Sequence, residues 1–100
     1  MNDLEKYERS ILNNFILNTG RLLTIPSQKK KKLIILEKLL REFDVNREYV
    51  EHDVNQILKE FYEDFCTLRR ELIVNGFMKR DNRNVYQVSP ESEWVDWKKL

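Results

Sequence analysis

The segment Asp64–Gly76, DFCTLRRELIVNG, constrains the chain most. Asp64 stands where a helix N-cap belongs, because a carboxylate there accepts a hydrogen bond from a first-turn amide that has no intrahelical partner. Phe65, Leu68 and Leu72 recur at three- and four-residue steps and share one helix face. Gly76 ends the element, since glycine takes a left-handed terminal conformation at little steric cost. Two strand-like runs follow at once, Phe77–Arg80 and Val85–Val88, separated by the polar loop Asp81–Asn84. A short helix that passes directly into a small hairpin cannot bury its apolar face alone, so the upstream chain must supply the opposing layer.

The upstream chain reads as helices. Leu4, Tyr7, Ile11, Leu12 and Phe15 form one stripe of a helix expected to run to about Asn18, with Gly20 as its stop. Arg21–Pro26 is expected to be extended, because a residue before proline is pushed out of the α region. A second helix is expected over Ser27–Phe43, with Ser27 as N-cap, Leu33, Leu36, Leu39, Leu40 and Phe43 inside, and Glu37 and Arg41 as a surface pair one turn apart. Arg47, Tyr49 and Val50 suit a minimal strand. Val54, Ile57, Leu58 and Phe61 then mark a third helix, with Asp53 near its positive end.

Composition agrees with one small, mostly helical domain. The chain has 100 residues, 35% of them charged, with only two glycines and two prolines. Its formal net charge of +1 supplies no global field, so any affinity for nucleic acid must come from local patches. Apolar runs such as Leu33–Leu36 fall far short of the roughly 20 residues that span a bilayer, and no membrane partner is expected. The start, MNDLEKYERS, does not read as a secretory signal. A single cysteine, Cys66, excludes an internal disulfide and fits a reducing, cytoplasmic location.

The order helix, strand, helix, helix, strand, loop, strand is the layout of a winged helix-turn-helix. The expected fold is therefore mainly α with a small β component. It comprises an extra N-terminal helix (residues 1–19), the winged helix-turn-helix (residues 20–89) and a C-terminal tail (residues 90–100) carrying Trp94 and Trp97. Leu68, Leu72 and Gly76, followed by Phe77, resemble the L-x-x-x-L-x-x-x-G-[LF] ending of recognition helices in MarR-like repressors. Several separate blocks resemble an uncharacterised bacterial domain family more closely: Gly20-Arg21-Leu22, Ile25-Pro26 with the lysines after it, and Asp64-Phe65-Cys66-Thr67-Leu68-Arg69-Arg70-Glu71-Leu72. That resemblance spans about Gly20–Val88. It implies a winged-helix-like domain, found alone or joined to helix-turn-helix regulators and other bacterial domains, and it supplies no activity. Val50 departs from the Thr or Ser of the pattern, Tyr62 from a frequent His, and Gln28 from a Lys, so no role resting on those side chains carries over.

Were the fourth helix to enter a DNA major groove, its N-terminal and outward positions Cys66, Thr67 and Arg70 would meet bases or phosphates, with Arg69 at the flank. Lys79, Arg80 and Arg83 would place cations of the wing along the phosphate backbone. Lys30 and Lys31, in a run whose charge opposes the dipole of the second helix, would add an anion site at that helix start, with Arg21 as a candidate third member. Each feature also has a plainer reading. The arginines could pair with nearby glutamates, the wing charges could guard an edge strand, and the lysines could be a solvated run. Glu60, Glu63 and Asp64 oppose DNA, since they would repel phosphates.

His52 lacks a second ligand at metal spacing, and Cys66 near a helix start is read as a small filler rather than a reactive thiol. No catalytic constellation, metal site or cofactor motif is visible, and the chain is not expected to be an enzyme. Trp94, Trp97, Val95 and Leu100 form an apolar patch that must cover the domain or a partner. Two functions are thereby expected. The first is a DNA-binding transcriptional regulator acting on double-stranded DNA, with a homodimer through the N-terminal helix or the tail. The second is a winged-helix protein-interaction or dimerisation module that binds no DNA.

Overall fold

The computed structural model describes residues 2–100; Met1, the first residue of the expected segment 1–19, lies outside the described residues. The N-terminal helix, the fourth helix and the C-terminal turn pack on α2 (Lys29–Leu40). Beyond its lysines α2 is apolar almost all round, with Leu33, Ile34, Ile35, Leu36, Leu39 and Leu40 all buried. Such a helix is stable only when covered on every side. The stripe Leu33, Leu36, Leu39, Leu40 and Phe43 accounts for four of these six side chains. Ile34 and Ile35 are buried as well, because α1 (Asp3–Phe15) and the C-terminal segment pack on flanks that a bare helix-turn-helix would leave wet. Each of these aliphatic side chains contributes about 1.5–3 kcal/mol by leaving water.

Three boundaries differ from expectation. α1 stops at Phe15 rather than Asn18, because Ile16 becomes extended and bridges Leu22 while the amide of Leu23 donates to the Phe15 carbonyl at 2.8 Å. Gly20, at φ +88°, therefore closes the turn that brings the chain back. Ser27 does not cap α2; Gln28 holds that position, and its side chain makes no capping bond. After Leu40 the helix tightens, with the amides of Arg41, Glu42 and Phe43 reaching back three residues, so Phe43 is buried just outside the α-helix.

Strand β1 (Tyr49–Val50) runs without a gap into α3 (Glu51–Lys59). Val50 occupies the N-cap of α3 and caps nothing with its side chain, as its departure from the Thr/Ser pattern implies. At the far end of α3, Arg21 Nη1 donates to the carbonyls of Lys59 at 3.4 Å and Glu60 at 3.0 Å. A guanidinium there satisfies orphan carbonyls at the negative end of the dipole. Arg21 is thereby anchored to the end of α3.

α4 (Phe65–Val74) follows, capped by Asp64, and Gly76 at φ +80° turns the chain into β2 (Met78–Arg80) and β3 (Val85–Val88). The sheet has the order β1-β3-β2, antiparallel throughout, with Tyr86 opposite both Tyr49 and Arg80. The arrangement is mainly α with a small sheet, of winged-helix-like layout, extended by α1 and by a tail of two 3-10 turns, Glu91–Glu93 and Trp97–Lys99. The tail folds back on its own chain. Trp97 is 1% exposed with its ring 6.3 Å from that of Tyr7 on α1, and Trp94 stacks edge-on against Phe77 at 5.5 Å.

Candidate nucleic-acid interface

α4 owes its position to its own sequence. Asp64 accepts from the Thr67 amide at 3.2 Å and from the Thr67 hydroxyl at 2.7 Å, and these bonds hold its carboxyl below the usual range. Leu68 and Leu72 are fully buried, which turns Thr67, Arg70 and Val74 outward along one stripe at i, i+3 and i+7. The Thr67 hydroxyl proton is committed to the cap, so this residue faces outward with its methyl and oxygen lone pairs.

Arg69 and Arg70 are adjacent in sequence but differ in environment. The Arg69 side chain is only 14% exposed, pairs with Glu51 at 3.6 Å, and hydrogen-bonds Asn55. Glu51 in turn accepts from the Tyr86 hydroxyl at 2.6 Å, and that bond, with Arg69 second, holds its carboxyl below the ordinary value. Burial, reinforced by Glu51, pushes the Tyr86 phenol up, so at neutral pH it stays a donor. The Arg69–Glu51–Tyr86 network ties α4, the start of α3 and the central wing strand together. Arg70 is exposed and makes no ion pair among the described residues.

The wing separates its cations by the alternation of a strand. Arg80 lies opposite Tyr86 and lines a groove of about 300 Å³ between α4 and the hairpin, together with Arg69, Arg70, Ile73, Val74 and Tyr86. Lys79 lies opposite Gln87 and lines a different cleft on the other side of the hairpin, beside Val45 and Trp94. Arg83 belongs to the wing tip: it pairs with Asp81 at 2.7 Å and Glu48 at 3.3 Å. Asp81 also accepts from the amides of Arg83 and Val85, so this carboxylate shapes the loop and is held below its usual range, with the Arg83 side chain the first cause. Among the expected contact residues, Arg69, Arg70 and Arg80 are thus brought to one groove, the first of them already paired, with Thr67 farther along the outward stripe of α4.

At the start of α2 the lysines diverge. Lys30 sits 4.9 Å over the Tyr7 ring and Lys32 pairs with Glu71 of α4 at 3.4 Å. Lys31, half-buried, makes no ion pair among the described residues. The residues that sequence reasoning did not single out are Glu51, Asn55, Tyr86 and Val74. Glu51 and Arg69 are 18 positions apart, so no local pattern links them. Val74 was legible, since a helix that buries Leu68 and Leu72 must expose it. Among the described residues no group of His, Cys, Asp and Glu suited to a metal occurs, and no helix is long and apolar enough to cross a membrane.

Residues 21–88, more than half of the chain, match the family described as "uncharacterized protein conserved in bacteria (DUF2087)", and the chain belongs to that family. No curated protein and no solved structure matches it.

Proposed function

For a member of this bacterial family with such a layout, we propose a cytoplasmic DNA-binding transcriptional regulator of winged-helix type, in which α4 enters the major groove and the wing lies on the phosphate backbone. One observation carries the reading: the groove between α4 and the hairpin holds Arg70 and Arg80, two cations without ion-pair partners among the described residues, while the nearest carboxylate, Glu51, is committed to Arg69 and Tyr86 and does not line it. Unpaired guanidiniums on a helix-and-wing surface suit phosphate and guanine recognition. Arg70 and Thr67 then face the DNA from α4, Arg80 grips a phosphate beside them, and Lys79, Lys30 and Lys31 add cations at the periphery. Arg69 orients α4 through Glu51, and Arg83 stiffens the wing tip.

The test is binding of the full chain to labelled random-sequence duplexes between about 50 and 200 mM salt. Affinity should fall as salt rises. The double substitution R70A/R80A should flatten that dependence by about two ion equivalents, whereas R83A should change it little. Absence of binding to any duplex at the lowest salt sinks the reading.

A protein-interaction or dimerisation role draws on a different observation. Leu17 and Leu23 flank the Ile16–Leu22 bridge and are 45% and 57% exposed, and Leu4 on α1 is 42% exposed. Light scattering at high micromolar concentration separates this role from the first: a homodimer through α1 should dissociate on replacing Leu4 and Leu17 by Ser.

A further inference from the structure

Val74 is 78% exposed, the highest value among the large apolar side chains described, yet it stands on the outward stripe of α4 and lines the same groove as Arg70 and Arg80. It lies one helical turn beyond Arg70, about 5–6 Å away. Its neighbours Leu72 and Ile73 are buried and half-buried, so packing of α4 does not need it. An apolar group set among unpaired cations on a helix surface has an evident complement in duplex DNA. The major groove presents the 5-methyl group of thymine beside the acceptor edge of guanine, and a helix that lies along it, as in homeodomains, reads bases from positions i, i+3, i+4 and i+7 rather than from its first turn alone, which brings Val74 at the end of α4 into reach. Thr67, Arg70 and Val74 have that spacing. The remaining position on such a face, Glu71, is tied to Lys32 and Asn75, which keeps its carboxylate from competing for the groove.

We infer that Val74 is a specificity-determining residue that packs on a thymine methyl, so that the preferred site holds a thymine within about two base pairs of a guanine met by Arg70. This inference rests on the DNA-binding reading and narrows it to a sequence class. Ile73, which lines the same groove, widens the apolar surface available to that methyl.

The experiment begins with selection of the tightest duplexes from a random library by the full chain. Each thymine of the selected site is then replaced in turn by deoxyuridine, which removes the methyl alone. One replacement should weaken binding of the unaltered protein by about fourfold. In V74A the same replacement should have no effect, because the partner of the methyl is gone. Circular dichroism should give the same spectrum and melting temperature for both proteins, since Val74 supports no core contact. Salt-dependent binding in which no uridine replacement matters, or matters equally in V74A, overturns the inference and leaves the DNA-binding reading standing. Absence of duplex binding overturns both. Loss of self-association in V74A, with uridine discrimination intact, overturns it in favour of a second copy of the chain as the occupant.

Discussion

Replacing Gly76 by Ala tests the coupling between the end of α4, the wing and the tail. Gly76 has φ +80°, and a Cβ built there would overlap the Glu93 carbonyl oxygen, with the Glu93 carbonyl carbon at 3.4 Å. The left-handed backbone alone costs a residue with a Cβ about 1–2 kcal/mol. The overlap is with main chain, which cannot swing aside like a side chain, and forced overpacking adds about 1–3 kcal/mol. Relief would require the Glu91–Glu93 turn to move. That movement would strain the 3.2 Å bond from the Val95 amide to the Asn75 carbonyl and the 2.9 Å bond from Trp94 Nε1 to the Ser89 carbonyl. The expected loss is about 3 kcal/mol, or roughly 12–24 °C in melting temperature for a domain of this size. Gly20 is the internal control: its φ is +88°, but nothing lies within 4 Å of a built Cβ. G20A should therefore lose only the backbone cost, about 1–2 kcal/mol. Urea and thermal unfolding followed by circular dichroism measure both. A G76A protein no less stable than G20A would refute the claim that the tail is packed against this corner.

Trp97 offers a second test, because it is buried while its indole Nε1 has no hydrogen-bond partner. W97A should lose about 3–5 kcal/mol, whereas W97F keeps much of the ring packing, removes the orphan donor and should lose distinctly less. Equal losses in urea unfolding would count against this account of the site. Glu37 is raised above its ordinary 4.5, first by burial, with Arg41 opposing and Glu8 adding to it. The folded state thus holds this proton more tightly than the unfolded state, so stability should fall as pH rises just above 4.5, and E37Q should remove that fall. Asp64 works in the opposite sense: its carboxyl is lowered by the Thr67 hydroxyl and amide, so its contribution is present above 3.8 and lost as acid protonates it. Unfolding midpoints of D64A should accordingly depend less on pH on the acid side than those of the unaltered chain.

Local chemistry determined the elements that carry their own signals. Asp64 caps α4, Gly76 ends it, the Asp81–Asn84 loop closes the wing, and Val50 leaves α3 uncapped; each is a property of a few neighbouring residues, and the sequence shows it directly. The stripe Phe65, Leu68, Leu72 likewise fixed which side of α4 faces outward, and with it the exposure of Arg70 and Val74. What the sequence could not settle was pairing over distance. The same stripe sets Arg70 outward and Arg69 on the flank, but nothing local names the partner of Arg69: Glu51, brought up by β1 and α3, pairs with it and leaves Arg70 free. Arg80 and Lys79 part company only because β2 joins β3 in a register that sets Arg80 opposite Tyr86. The end of α1 falls short of Asn18 because the Ile16–Leu22 bridge involves chain that propensity does not see, whereas α2 is capped at Gln28, one residue from Ser27, within the ordinary scatter of a helix end. Ile34 and Ile35 lie outside the stripe that the sequence marks, and they are buried in a helix on which α1 and the Trp97–Lys99 turn pack. The apolar pattern thus decided which segments fold as helices and strands, and the tertiary structure decided which of their charges remain unpaired to meet a partner.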